Sequence, residues 1–227
     1  MAGTLYVVGT PIGNLSDLTF RAETTLKAVN LIAAEDTRTS RKLLGHYNIS
    51  TPLIAYHDNN EINQAINLVN KLNSGDSIAI ISDAGTPCIS DPGYRVVNLA
   101  KKEGIKVITI PGPSAVTAAL SISGLPTDHF YFEGFLPPKK GRKSHFELLE
   151  SLPATIVIFE SPHKVLRTLS DIHNYWGNRI ISVCRELTKI FEESFLGTVE
   201  DAENYFVKSK PKGEFVVLVA KKGYTLD

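Results

Sequence analysis

The chain has 227 residues, 43% of them hydrophobic and 21% charged, which suffices to bury one large domain or two small ones and excludes a disordered chain. Its 24 basic and 24 acidic side chains cancel, so indiscriminate coating of nucleic acid is disfavoured and any polyanion must meet a local patch. Cys88 and Cys184 are too few for a disulfide framework and lack metal-ligand spacing, so no metal is expected. No apolar run reaches the ~18 residues of a membrane span and the first residues carry no signal peptide, which gives the expectation of a cytoplasmic protein with no membrane partner.

In chain order, strand-like runs alternate with helical patterns. Leu5 to Val8 reads as a buried strand, Leu18 to Ala28 as a helix, Val29 to Ala34 as a strand ending in Glu35-Asp36, and Thr39 to Tyr47 as a helix. Asn60 to Asn73 repeats apolar residues at a helical period and closes at Ser74-Gly75-Asp76. Ile78 to Ile81 and Val107 to Ile110 are strands, with a helix at Tyr94 to Lys102 between them. Each of these two strands runs into a loop rich in Gly, Pro and Ser. In open α/β sheets ligands bind beyond the carboxyl ends of strands, so these loops form a candidate cradle.

A helix at Ala115 to Ser123 opens the second half, followed by the aromatic run Phe130-Tyr131-Phe132 and the segment Leu136 to Ser144, whose prolines and cations read as an exposed loop. Strands are expected at Ala154 to Glu160, Ile180 to Arg185 and Glu214 to Ala220, and helices at Lys164 to Tyr175 and Val199 to Lys208. The fold class expected is α/β in two domains, 1–116 with a mostly parallel sheet and 117–227 with a mixed one.

Two familiar ligand motifs fail. Gly9-Thr-Pro-Ile-Gly13 follows the first strand, but a dinucleotide fingerprint needs Gly where Pro11 stands, and proline has no N–H for a phosphate. No Gly-Lys-Ser or Gly-Lys-Thr follows any strand, which removes the nucleotide-triphosphate loop as well.

Eight blocks in order carry a resemblance: GTPIGNL (9–15), AAEDTRTSRKLL (33–44), YHDNNE (56–61), SDAGTPCISDPG (82–93), PGPSA (111–115), FESPHK (159–164), CRELTK (184–189) and KGEFVV (212–217). Together they resemble the ribosomal RNA small subunit methyltransferase I family, of the tetrapyrrole methylase-like class of S-adenosylmethionine enzymes. The resemblance implies a homodimer of two α/β domains with S-adenosyl-L-methionine in the cleft between them, and methylation of the ribose 2′-oxygen of one cytidine in the 16S rRNA of the small subunit. Many relatives continue into a small helical extension after KGEFVV, whereas this chain stops at Asp227; a shorter family form, or a weaker grip on RNA, is the expectation there.

The chemistry constrains the site further. Methyl transfer from a sulfonium is an in-line displacement that rewards positioning, and a cation prefers carbonyls and carboxylates around it. From the residues, Pro11 fixes its loop, Asp83 stands to accept from a ligand or merely caps its turn, Thr86 offers a hydroxyl, Ser114 binds a ligand or caps the following helix, and Ala115 leaves room for an adenine. The resemblance favours ligand contact for these and adds Phe159, Glu186, Leu187, Gly213 and Glu214 to the cofactor set. A ribose hydroxyl needs a base or a cation beside the developing alkoxide, and His57, Glu160 and Arg185 are the catalytic candidates, out of a wider group that includes Glu61, His163 and Lys189. Arg38 and Arg41 on one helical face, and Lys139, Lys140, Arg142 and Lys143 beside the aromatic run, are the candidate RNA contacts, with Tyr131, Phe132 and Phe135 expected mostly in the core. A same-fold methylase of a tetrapyrrole-like molecule or protein side chain, a non-catalytic RNA-binding module, and a nucleotide-binding oxidoreductase are the alternatives.

Overall fold

The computed structural model describes residues 2–226 and divides into two compact units, the first ending at Ser114 and the second starting at Ala115. In the first, β1 (Thr4–Val8) is followed by a 3-10 turn (Leu15–Asp17), α1 (Phe20–Ala28), β2 (Leu31–Ala34), α2 (Thr37–His46), β3 (Leu53–Ala55), α3 (Glu61–Asn73), β4 (Ile78–Ile81), α4 (Tyr94–Lys102) and β5 (Lys106–Ile110). All five strands pair in parallel in the order β3-β2-β4-β1-β5. Both faces of such a sheet are covered, and the sequence shows why: alternate residues of β2 and β4 enter different cores. Leu31, Ala33, Ile78 and Ile80 pack with Leu68, Leu72, Val96 and Ala100 of α3 and α4. Ile32, Ala34, Ala79 and Ile81 pack with Ala22, Leu26 and Leu44 of α1 and α2.

In the second unit α5 (Ala115–Ile122) leads to β6 (Phe130–Phe135), α6 (Arg142–Glu150), β7 (Thr155–Glu160), α7 (Val165–Trp176), β8 (Ile180–Arg185), β9 (Glu193–Thr198), α8 (Val199–Ser209) and β10 (Phe215–Val219). The sheet runs β6-β7-β10-β8-β9, parallel between β6 and β7 and antiparallel elsewhere. One face carries Ile156, Ile158, Ile181, Val183, Val217 and Val219 against Phe146, Leu169, Ile172 and Phe206 of α6, α7 and α8. α5 lies against β10.

Two helix starts differ from the sequence expectation for reasons of capping. Thr19 accepts from Ala22 N–H, so α1 opens at Phe20 rather than Leu18, and Asp36 accepts from Arg38 N–H, so α2 opens at Thr37 rather than Thr39. The segment read as a loop through Ser144 is shorter: Gly141 at φ +79° ends it and α6 begins at Arg142. β3, β6 and β9 are strands for which no expectation was stated.

Candidate active site

Because every strand of the first sheet points the same way, its carboxyl ends share one edge, and that edge collects His57 after β3, Glu35 and Asp36 after β2, Ser82 to Thr86 after β4, Gly9 to Gly13 after β1 and Pro111 to Ser114 after β5. Backbone holds these loops together. Thr10 N–H donates to the Gly85 carbonyl at 2.8 Å, Gly85 N–H returns a bond to the Thr10 carbonyl at 3.1 Å, and Gly9 N–H donates to Ile110. The Thr10 hydroxyl adds bonds to the Ser82 and Gly85 carbonyls. Gly9 and Gly112 touch so closely that a Cβ on Gly9 would stand 2.8 Å from Gly112 Cα, and one on Gly112 would stand 2.8 Å from the Gly9 carbonyl oxygen. Only glycine fits at either place.

The same edge is acidic. Asp36 N–H donates to the Asp83 carboxylate at 3.1 Å and Asp83 N–H to the Glu35 carboxylate at 3.3 Å, which ties the ends of β2 and β4. Burial raises the Glu35 pKa, against the Asp83 N–H bond, and the Asp83, Asp58 and Asp36 charges raise it further. Asp83 is raised likewise, by burial first and then by the Asp36 charge against the Asp36 N–H bond. Asp91 is pushed up to about 6 by burial and by the Glu35, Asp83 and Asp58 carboxylates, against a Ser82 hydrogen bond. A cation placed here would relieve all three groups. Glu35 and Asp91 were not among the expected site residues; the signal available was that Glu35 directly follows the wholly buried β2 and that Asp91 lies in the loop between β4 and α4.

In the second unit register gathers the site. Phe215 at the start of β10 sits opposite Glu160 at the end of β7 and opposite Arg185 at the end of β8, and Arg185 sits opposite Glu193. Here side chains do the ordering. Arg185 donates from Nη1 to Glu193 and from Nε to the Lys212 carbonyl, both at 2.7 Å. Glu186 accepts from Glu214 N–H at 3.0 Å and from Lys189 at 2.9 Å, and Lys189 also reaches Glu214 at 2.8 Å. Glu186 and Thr188 stand at φ +51° and +67°, a conformation unfavourable to side-chain-bearing residues and concentrated at functional loops. Gly213, at φ +86°, is demanded by Glu186, since a Cβ there would fall 2.4 Å from its Cδ.

Residues 4–203 match the family described as Tetrapyrrole (Corrin/Porphyrin) Methylases. The chain is 50% identical over 222 residues to the ribosomal RNA small subunit methyltransferase I of Halalkalibacterium halodurans, covering 97% of this chain and 77% of that one, and 46% identical over 220 residues to the Thermotoga maritima protein of the same name, covering 97% and 99%. The chain belongs to the ribosomal RNA small subunit methyltransferase I family. Solved structures share the fold at low identity: diphthine synthase, TM-score 0.77, 12% identity, 98% of this chain and 91% of that one, and cobalt precorrin-4 methyltransferase, TM-score 0.70, 17% identity, 96% and 94%.

The fold distributes the candidate residues unevenly. Pro11, Asp83, Thr86 and Ser114 share the carboxyl edge of the first sheet, and Ala115 opens α5 at the start of the second unit. Phe159 packs edge-on against Phe132 and Phe135, and Leu187 is buried. Glu160 is corrected: it is buried, accepts from Ser161 N–H and the Thr168 hydroxyl at 2.7 Å each, and serves as a structural acceptor rather than a base. Arg142 is corrected as an RNA contact. Its guanidinium is buried and spent on Asp171 at 2.7 Å, Thr168 at 2.9 Å and the Pro137 carbonyl at 3.0 Å, where it pins the loop that carries Lys139 and Lys140. Lys143 lies on α6 and pairs loosely with Glu147, Arg38 pairs with its neighbour Asp36, and Arg41 is exposed on α2. Tyr131 and Phe135 are exposed rather than in the core, 42% and 63%. Glu61, from the wider group, caps α4 by accepting from Gly93 and Arg95 N–H. His57 faces Asn60 Nδ2 with Nε2 at 3.4 Å, and its Nδ1 is buried without a partner among the described residues, as is Thr188 Oγ1. Among the described residues no helix is long and apolar enough to cross a membrane and no group of His, Cys, Asp and Glu could hold a metal ion.

Proposed function

We propose that the protein transfers a methyl group from S-adenosyl-L-methionine to the ribose 2′-oxygen of a cytidine in 16S rRNA of the small ribosomal subunit. The observation that carries the reading is the set of glycine and proline loops bonded backbone to backbone beside Glu35, Asp83 and Asp91, in a chain of this family. Carbonyl-rich loops and raised carboxylates suit a ligand whose sulfonium and amino groups are cationic, and two unpartnered buried polar atoms, on His57 and Thr188, lie in candidate loops. Pro11, Asp83, Thr86, Ser114, Ala115, Phe159, Glu186, Leu187, Gly213 and Glu214 would hold it. S-adenosylmethionine supplies an activated methyl group, so no acid is needed to release the leaving sulfur.

The protein's share is orientation and charge. Holding the acceptor in line is worth ~7–11 kcal/mol in favourable cases. Arg185 keeps its guanidinium fixed between Glu193 and the Lys212 carbonyl, and in this reading it steadies the negative charge growing on the ribose oxygen as the hydroxyl proton passes to solvent water. His57 stands in the loop after β3, its Nε2 at 3.4 Å from Asn60 Nδ2, which orients the ring. Lys139 and Lys140 hold the RNA backbone, together with Arg41 and Arg38, and the exposed ring of Phe135 offers a base a stacking face. The working form is a homodimer in the cytoplasm, for which Phe20, Ile190 and Phe191, exposed at 91%, 95% and 69%, supply apolar surface to a second copy.

Ribose-methylation mapping of small-subunit rRNA from cells with and without the gene tests the reading; an unchanged pattern ends it. Calorimetry separates cofactor from chemistry. Asp83→Ala should weaken S-adenosylmethionine binding at least tenfold, while Arg185→Ala should bind it normally and lower turnover.

A further inference from the structure

The segment Lys208-Ser-Lys-Pro-Lys212, the end of α8 and the start of the loop into β10, lies outside every RNA contact named above, and its place in the sheet gives it a use. β10 begins at Phe215, opposite the ends of β7 and β8, and β6 runs parallel to β7, so this loop leaves the same sheet edge as the Lys139-Lys140 loop and Lys164. β6 and β10 are two strands apart, which sets the bases of the two loops about 10 Å from each other. Phe135 ends β6 at that edge with its ring exposed.

The loop is fixed, and its cations are unspent. Arg185 Nε holds the Lys212 carbonyl at 2.7 Å, Glu186 N–H donates to the Glu214 carbonyl at 2.9 Å, and Glu214 N–H bonds the Glu186 carboxylate at 3.0 Å. Lys208, Lys210 and Lys212 are exposed, and their ammonium groups take part in no ion pair or hydrogen bond among the described residues. The acids nearby are mostly engaged already: Glu193 pairs with Arg185, and Glu186 and Glu214 share Lys189, which leaves one carboxylate charge against the three lysines. A chain of zero net charge therefore presents a local surplus of positive charge along one edge, held in place before any partner arrives.

We infer that Lys208, Lys210 and Lys212 form a second RNA-backbone contact that works with Lys139 and Lys140, the two cationic loops gripping one single-stranded segment on either side of the base stacked at Phe135. The inference rests on the rRNA-modifying reading. Each phosphate contact to a single strand contributes about 0.7 to the slope of log affinity against log salt, so losing three should flatten the slope by about 2.

The test measures binding of small-subunit rRNA transcribed in vitro, by fluorescence anisotropy across 50 to 200 mM KCl, to the full chain and to a Lys208→Gln, Lys210→Gln, Lys212→Gln variant. A Lys101→Gln, Lys102→Gln, Lys106→Gln variant removes equal charge from the opposite edge of the first sheet. The expected result is a loss of at least tenfold in affinity at 50 mM KCl and a flatter slope for the first variant only, with S-adenosylmethionine binding unchanged in both. Equal losses in the two variants would reduce the effect to net charge and overturn the inference, as would an unchanged slope in the first. Absence of rRNA binding by the parent chain would instead sink the rRNA reading itself, and the inference with it.

Discussion

The two sheets build their functional edges by opposite means. In the first, parallel pairing brings five carboxyl ends to one side, and main chain does the work: Gly9 and Gly112 in backbone contact, Thr10 and Gly85 exchanging bonds. In the second, mixed pairing brings three strand ends and two strand starts together, and charged side chains fix the loops, Arg142 through Asp171 and Thr168, Arg185 through Glu193, Lys189 through Glu186 and Glu214. Backbone sites tolerate surface change but not an added Cβ. Side-chain sites fail when one partner is removed.

Arg142→Ala should show the largest effect, because it leaves Asp171 only its longer pairing with Arg167 at 3.7 Å and removes a donor from a buried chain of bonds. The expected loss is about 3–5 kcal/mol, measured by urea unfolding, with Arg142→Lys recovering part. A loss under about 1 kcal/mol would mean that water replaces the guanidinium and that the second edge is not held as described. Gly112→Ala attacks the other edge. Its Cβ meets main chain that cannot yield as a side chain can, so about 1–3 kcal/mol should be lost along with S-adenosylmethionine affinity. Gly45→Ala is the control: nothing lies within 4 Å of the added carbon, it falls within α2, and stability should hold or rise by up to about 1 kcal/mol. Equal losses in the two glycine variants would dissolve the contrast.

This difference also decides what could be read from sequence. β4, α4 and β8 match the expected ranges, because buried apolar runs and helical periods are local signals that Gly and Pro bracket clearly. The loops after β1, β4 and β5 were legible for the same reason. Arg142 was not: its partners lie 26 and 29 residues away on α7, and in sequence it is one cation among four. Glu160 misled likewise, as its acceptor role depends on Thr168 one helix later. β3 has three residues, and β9 alternates half-buried and exposed positions without an apolar run, so neither carried a strand signal of ordinary length.

The smallest expected effect probes whether the backbone edge carries an electrostatic cost of its own. Burial and the Glu35, Asp83 and Asp58 carboxylates lift Asp91 from the ordinary aspartate value of 3.8 to about 6. A carboxyl raised on folding binds its proton more tightly in the native state, so its contribution favours the fold at pH 4 and is lost as pH rises from about 4 to 6. Asp91→Asn cannot ionise and escapes that loss. Its stability relative to the parent should therefore climb between pH 4.5 and pH 7, by roughly 1 kcal/mol once solvent screening at a part-buried position is allowed for. Urea midpoints at the two pH values measure it. A difference that stays flat with pH would show Asp91 ionising as freely as an exposed aspartate, and the first edge would then owe its form to main-chain geometry alone.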